Sequence, residues 1–429
     1  MTIEFEGRTL RAFTAEPLAV ALFASGVRVL SRSIKYHRPR AFFCLEGHCG
    51  ACLMRVDGIP NVRACMTRCR EGLVVEGQNA FPASDLDVLS AMDWLFPQGM
   101  NHHTLMTGSK ILNRVMQKFV RQLSGLGKAP ERRGTALHEV RSQHVDVAVI
   151  GAGPAGLSAA RAAAEQGASV LCVDEQALSG GSLLCDPRFG REEAERLAEA
   201  ARNAGARFLT RSPVIAWFPE EDNGLLAVAT PEGLVRVTAR RYVYATGAYD
   251  TNALFEDNDR PGIFSARGVG RLAVLHGVRP GHRVVVVGAG SNDAVNAYAA
   301  ALAAELGALG IETVFVDGNH EKALRARGHA WVEGLDVEGK DGRRHREPCD
   351  AVAVAAPPQP ASEAPRQHGA EVVLSAEAGG FVVIADESGR TSVQGVLACG
   401  DVTGYMGPER AAHAGTRAGL AAAKEALSA

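Results

Sequence analysis

The chain has almost no excess of either charge: 46 Lys and Arg stand against 48 Asp and Glu, a formal net charge of −2. That balance gives no whole-molecule argument for binding nucleic acid or an anionic membrane surface. No apolar run reaches the ~18 residues needed to cross a bilayer. The amino end, Met1-Thr2-Ile3-Glu4-Phe5-Glu6, lacks a basic stretch followed by an apolar core, so no secretory signal is read there. No Ser-His-Asp set and no paired carboxylates stand out, and no catalytic residue is assigned. His102-His103 and His413 lack metal-ligand spacing and read as surface or supporting histidines. No Cys-x-x-Cys follows the Gly-rich turn at 151–156, which argues against a redox dithiol there.

What the chain does have is nine cysteines and 47 glycines in 429 residues, enough length for two or three domains. Cysteines without an export signal read as metal ligands and buried thiols, which predicts a reducing, cytoplasmic location. Four of them, Cys44, Cys49, Cys52 and Cys65, are spaced C-x4-C-x2-C-x12-C. This is the plant-type ferredoxin spacing for a [2Fe–2S] cluster. Gly47, Gly50 and Ala51 let the loop curl so that several thiolates face one centre while amides remain free to bond the sulfurs. Cys69 is the spare candidate, but Cys65 fits the spacing better. Cys172 and Cys399 lie in apolar strands and read as small buried hydrophobes; Cys185 and Cys349 are isolated.

Residues 1–80 read as a β-rich module with a hairpin around Glu6-Gly7-Arg8, a helix near 17–24, and strands at 52–56 and 73–75. Residues 81–143 show no sheet pattern. Ile111, Leu112, Val115, Met116, Phe119, Val120 and Leu123 recur at helical spacing there, with Lys110, Arg114, Lys118 and Arg121 opposite. The expectation is a solvated basic face over a buried stripe. Residues 129–134 read as a linker.

From His144 the texture changes. Val145–Ile150 is a buried strand, Gly151-Ala152-Gly153-Pro154-Ala155-Gly156 a Gly-rich turn, Leu157–Gln166 a helix, and Ser169–Val173 a second strand. The acids Asp174 and Glu175 follow 18 and 19 residues after Gly156. This complete order is a dinucleotide-binding signature. Gly151 permits the tight turn, Gly153 close approach of a pyrophosphate, and Gly156 close helix–strand packing. Phosphates would sit at the helix N-terminus, where unpaired N–H groups and the macrodipole favour anions. Asp174 is the first choice for the ribose hydroxyls and Glu175 the second. A second unit, 283–317, repeats the pattern with Gly288 and Gly290, but Asp293 takes the third Gly position. A carboxylate near a phosphate site is electrostatically wrong, so this unit reads as structural.

Two further segments complete a pattern: Tyr242–Ala248, a strand running into Thr246-Gly247, and Thr391–Asp401, a late strand ending in Gly400-Asp401. Together with the unit at 151–175 they resemble the two-dinucleotide-domain flavoproteins. The resemblance implies that Thr246-Gly247 lie near the adenine dinucleotide and that Asp401 bonds the ribityl chain of FAD. A helix near 407–422 would point its N-terminus at the flavin or pyrophosphate. Tyr36-His37-Arg38-Pro39-Arg40, Val75–Pro82, Arg260–Phe264 and Gly281–Val284 are similar to heterotetrameric sarcosine oxidase alpha subunits. That family also includes the alpha subunits of opine, proline and hydroxyproline dehydrogenases.

This closer resemblance implies an electron-transferring alpha subunit of an amino-acid or amine dehydrogenase or oxidase. Its partners would be a beta subunit of the D-amino-acid-oxidase type, a small gamma subunit, and an electron-accepting protein or quinone. Association with a membrane would be peripheral, through partners. It also implies that NAD or ATP can replace FAD at the first site and that FMN can sit between subunits. The family's C-terminal folate domain is not expected in a chain ending at Ala429. All four cluster ligands are present, which favours a dehydrogenase feeding a carrier over an oxidase.

The expected fold is α/β: a Rossmann-like flavoprotein with two dinucleotide-binding domains, preceded by a β-grasp, ferredoxin-like domain. The expected boundaries are 1–80 for the cluster domain, 81–143 for a helical linker, 144–257 with 378–429 for the FAD domain, and 258–377 for the inserted domain. Two rival functions are a self-contained NAD(P)H-dependent ferredoxin or dye reductase, and a scaffold subunit holding an ADP-containing nucleotide.

Overall fold

The computed structural model describes residues 1–34, 36–91, 108–123, 139–219, 224–288 and 292–428. His102-His103, the 129–134 linker and Gly290 lie outside them.

The amino-terminal unit is a five-stranded sheet in the order Arg8–Arg11, Thr2–Phe5, Leu73–Glu76, Leu53–Val56, Ile59–Arg63. The first two strands form the expected hairpin. Glu6 and Gly7 both take positive φ, as a two-residue turn between twisted strands requires. Period-two alternation sends Ile3, Phe5, Leu73 and Val75 inward, against the helix Leu18–Ala24, whose first six residues are buried. The strand Thr2–Phe5 runs parallel to Leu73–Glu76, so the sheet closes around that helix as a β-grasp does.

The unit is fused to the rest of the chain, not tethered to it. One apolar core runs from Ile3 and Leu22 through Phe42 to Phe264, Leu272 and Val284. Phe42 stacks on Phe264 at 4.9 Å, and Phe23 meets Phe42 edge-on at 5.2 Å. The Ser265 amide donates to the Phe43 carbonyl at 3.1 Å.

The second sheet is built on parallel strands Arg207–Leu209, Val170–Val173, Glu139–Ile150 and Gly233–Tyr244, with Val396–Ala398 added beside Tyr242–Tyr244. That last pairing returns the carboxyl-terminal segment to the first nucleotide domain. Glu139–Ile150 and Gly233–Tyr244 are twelve residues each, longer than their apolar patterns. They stay paired as far as Glu139 and Gly233, so backbone hydrogen bonds extend them past the buried stretch. The inserted domain holds four parallel strands in the order Ile263–Ser265, Ala351–Ala355, Arg283–Gly288, Glu312–Val316. An antiparallel layer over 321–348 packs with it.

Residues Lys110–Leu123 form the expected helix. The expectation of a buried stripe is corrected at Ile111, Leu112 and Val115, which are exposed, at 81%, 48% and 56%; the side chains of Met116, Phe119, Val120 and Leu123 lie outside the described residues. Periodicity marks the two faces of a helix, whereas burial needs a neighbour, and among the described residues none covers these three.

The helices Pro154–Glu165 and Pro408–Leu427 cross at near backbone contact because the facing positions are Gly and Ala. A Cβ on Gly415 would lie 2.0 Å from the Ala155 carbonyl oxygen, and one on Gly419 would lie 2.2 Å from that of Ala159. Gly415→Val or Gly419→Val should force the helices apart, cost about 1–3 kcal/mol and lower the Tm by about 1–3 °C for a chain of this length. An unchanged Tm in both variants would contradict this packing.

Candidate functional site

Two features meet at the junction of the domains: the cysteine loop and a cavity of about 430 Å³ beside the first Gly-rich turn. The loop is shaped by positive φ at Leu45, Gly47 and Gly50. A Cβ on Gly47 would lie 2.9 Å from the Met66 sulfur, so the loop also lies tight against the segment carrying Cys65.

Cys44, Cys52 and Cys65 are buried and Cys49 is exposed. Their thiols are hydrogen-bonded in two pairs, Cys44 with Cys49 and Cys52 with Cys65. The Glu46 amide donates to the Cys44 sulfur at 3.4 Å and the Ala51 amide to that of Cys49 at 3.5 Å. The hydrogen bond from Cys44, helped by the Ala51 amide, pulls the Cys49 thiol down to about 6, and Cys44 is raised in return. Among the described residues no three His, Cys, Asp or Glu side chains converge as ligands of a single ion. Four cysteine sulfurs on one loop and its neighbouring segment, three of them buried and two met by amides, are a donor set that would suit a [2Fe–2S] cluster. Cys69 is buried, its thiol pushed up to about 11 by burial, and its charged neighbours are Glu16 and Arg68, not the quartet.

In the nucleotide unit, Gly151 takes φ 103° and its Cβ would lie 2.2 Å from the Ala245 carbonyl oxygen. A Cβ on Gly156 would lie 1.8 Å from the Gly151 carbonyl oxygen, so helix and turn can meet only through glycine. A Cβ on Gly153 would meet nothing nearer than the Gly181 Cα at 4.0 Å. Gly151, Gly153, Pro154 and Ala155 line the cavity, as do Thr246, Gly247 and Asp401. Gly156 and Gly400 do not; each packs behind it, Gly400 with φ 78° against Ala155. Thr246 donates its hydroxyl to the Ala361 carbonyl at 2.7 Å. Asp401 is buried, accepts from the Met406 amide at 3.2 Å, and is raised above the usual carboxylate range by burial.

The two acids after the second strand do different work. Asp174 lines the cavity, and its oxygens accept from the Ala152 amide at 2.5 Å and the Gln176 amide at 2.6 Å. Burial pushes it up to about 6. It braces the Gly-rich turn. Glu175 stays 41% exposed, and its Oε1 meets His48 Nε2 at 2.8 Å. Both acids line the cavity; each Asp174 oxygen holds one backbone amide and keeps a further lone pair, while Glu175 is the more exposed of the two, so both stay candidates for ribose contact.

The cluster loop itself forms part of the cavity wall, through Glu46 and His48. Burial lowers the proton affinity of His48, but its hydrogen bond to Glu175 and the charge of Glu46 outweigh that and raise it. Gln176 Nε2 donates to the Glu46 carbonyl at 3.0 Å. Arg271 pairs with the Glu46 carboxylate and donates to the Cys44 carbonyl at 3.0 Å. Asp250 lies 3.5 Å from Arg271 and also pairs with Arg267, which lines the cavity near Asp401. Burial works against ionising Asp250, yet Arg267 and Arg271 hold it below the usual carboxylate range. The sequence carried no local signal for Arg267, Arg271 or Asp250, since each is defined by a partner from a distant segment.

A family model for a 2Fe-2S iron-sulfur cluster binding domain matches residues 1–80. A second, for pyridine nucleotide-disulphide oxidoreductases, matches residues 145–309 and 295–418. The chain belongs to the pyridine nucleotide-disulphide oxidoreductase family. It carries a 2Fe-2S cluster binding domain ahead of that unit. It is 29% identical to the sarcosine oxidase alpha subunit of Rhizobium meliloti (strain 1021), over 93% of this chain and 44% of that protein. An opine oxidase subunit of the same organism is 33% identical over 34% of this chain and 33% of that protein. The chain thus spans less than half the length of the sarcosine oxidase subunits it matches. The fold matches L-proline dehydrogenase from P. horikoshii with a TM-score of 0.71 and 24% identity, covering 97% of this chain and 72% of that one.

Cys49→Ser should abolish the cluster's visible and EPR signals, while Cys69→Ser should leave them intact; a normal [2Fe–2S] spectrum in the first variant would refute the ligand set. Arg271→Leu strands Glu46 in the interior and should cost about 3–5 kcal/mol, read as a lower Tm with earlier bleaching of the cluster on heating.

Proposed function

We propose that the chain is the electron-transferring, alpha-type subunit of a heteromeric dehydrogenase or oxidase that acts on the CH–NH bonds of amino acids or secondary amines. The observation that carries this reading is the shared wall: the loop bearing cluster ligands Cys44 and Cys49 also lines the nucleotide cavity through Glu46 and His48. The similarity to sarcosine and opine oxidase subunits supports the substrate class. Cys44, Cys49, Cys52 and Cys65 hold the [2Fe–2S] cluster. Gly151, Gly153, Pro154 and Ala155 cradle the pyrophosphate of FAD, Glu175 takes the ribose, and Asp401 meets the ribityl chain. When bound, a flavin and a [2Fe–2S] cluster together convert two-electron into one-electron chemistry. The protein's part is to fix their spacing and to orient the cluster loop through the Glu46–Arg271–Asp250–Arg267 set.

Substrate oxidation belongs to a partner beta subunit of the D-amino-acid-oxidase type, with a small gamma subunit, an interfacial FMN, and a protein or quinone acceptor completing the complex in the cytoplasm. The second nucleotide-like unit is structural in this reading. Asn292 caps the helix Asp293–Ala308 by accepting from the Ala294 and Val295 amides, which uses donors that a phosphate would need.

The complex, purified without air, should contain two irons and one FAD per chain by iron analysis and mass spectrometry. NADH should fail to bleach its flavin. Rapid bleaching by NADH would make the chain a self-contained reductase, bound nucleotide without flavin would make it a scaffold, and colourless, iron-free, nucleotide-free protein would end the proposal.

A further inference from the structure

The loop between Cys44 and Cys49 presents two polar side chains to the cavity. Glu46 is committed to Arg271. His48 reaches out of its own domain: Nε2 meets Glu175 Oε1 at 2.8 Å, across 127 residues of chain. Its ring packs edge-on against Tyr249 at a centroid distance of 4.6 Å. A carboxylate only accepts, so Nε2 is the donor. The Nδ1 atom is buried without a hydrogen-bond partner among the described residues, and the 4.0 Å to Glu46 is too long for one.

Glu175 needs such a neighbour. Asp174 is adjacent, and the charges of Glu175 and Glu46 both bear on it. A carboxylate among carboxylates swings to solvent unless something holds it. The imidazole holds Oε1, and Oε2 carries no hydrogen bond among the described residues, so it is free to accept from a ligand hydroxyl.

We propose that His48 is a positioning residue of the nucleotide site. It fixes Glu175 to accept the ribose hydroxyls of an adenine nucleotide, so the folded cluster loop and the bound nucleotide favour each other. By linkage the effect is reciprocal: nucleotide should steady the loop as much as the loop steadies nucleotide. This inference rests on the assignment of 151–175 as a nucleotide site.

The test uses the full-length chain carrying its cluster, dialysed free of nucleotide, with ADP as the calorimetric probe. His48→Phe keeps a ring against Tyr249 but removes the donor, and should weaken ADP about five- to tenfold with an unchanged visible spectrum. His48→Gln keeps an N–H donor and should bind within about twofold of the unchanged chain. In a Glu175→Gln background the His48→Phe change should add little. Equal ADP affinity in the Phe and Gln variants, or full additivity with Glu175→Gln, would overturn the role of His48. Failure of the unchanged chain to bind ADP would overturn the nucleotide assignment and this inference with it.

Discussion

Arg271 is buried where an unpaired charge would be ruinous, and its partners come from both sides of a domain boundary. It reaches the Glu46 carboxylate and the Cys44 carbonyl in the cysteine loop, and Asp250 at the edge of the nucleotide domain. Desolvating ions is costly, and that cost is offset only when the geometry is good and all members are present. The loop therefore has one orientation in which its charges are satisfied. That orientation turns His48 toward Glu175 and sets Glu46 and His48 in the cavity wall. Apolar packing of Phe23, Phe42 and Phe264 brings the domains together; the ionic set selects the angle.

Close approach through small residues is the second constraint. The turn at Gly151, the helix start at Gly156, and the crossing at Gly415 and Gly419 leave no room for a Cβ. The start of the helix Pro154–Glu165 is thereby held against the carboxyl end of the interior strand Glu139–Ile150. The two nucleotide-like units diverge at this point. In the first, Asp174 accepts from the Ala152 amide of the turn, and the helix N-terminus faces the cavity. In the second, Asn292 caps the helix from within.

Much of this was legible in the sequence because it depends on local spacing. The C-x4-C-x2-C-x12-C run, the Gly-rich turn with its flanking strands, and the Gly400-Asp401 ending are short-range patterns. What escaped is set by contacts between distant segments. The different surroundings of Asp174, bonded to backbone amides, and Glu175, bonded to His48, come from segments that local spacing does not name. The Arg267–Asp250–Arg271–Glu46 set joins two segments more than 200 residues apart. The exposure of Ile111, Leu112 and Val115 on a strongly patterned helix belongs to the same class, since a pattern does not name its cover.

The single hydrophobic interior shared by the amino-terminal sheet and the inserted domain also bears on kinetics. A carrier on a flexible tether must diffuse between donor and acceptor, so its throughput falls as the medium thickens or salt weakens docking. Here the iron-binding loop is already seated, and the interval to the neighbouring prosthetic group is set by packing. In the proposed reading, the internal electron transfer would run at a rate indifferent to viscosity and ionic strength, leaving those sensitivities to the encounter with the external acceptor.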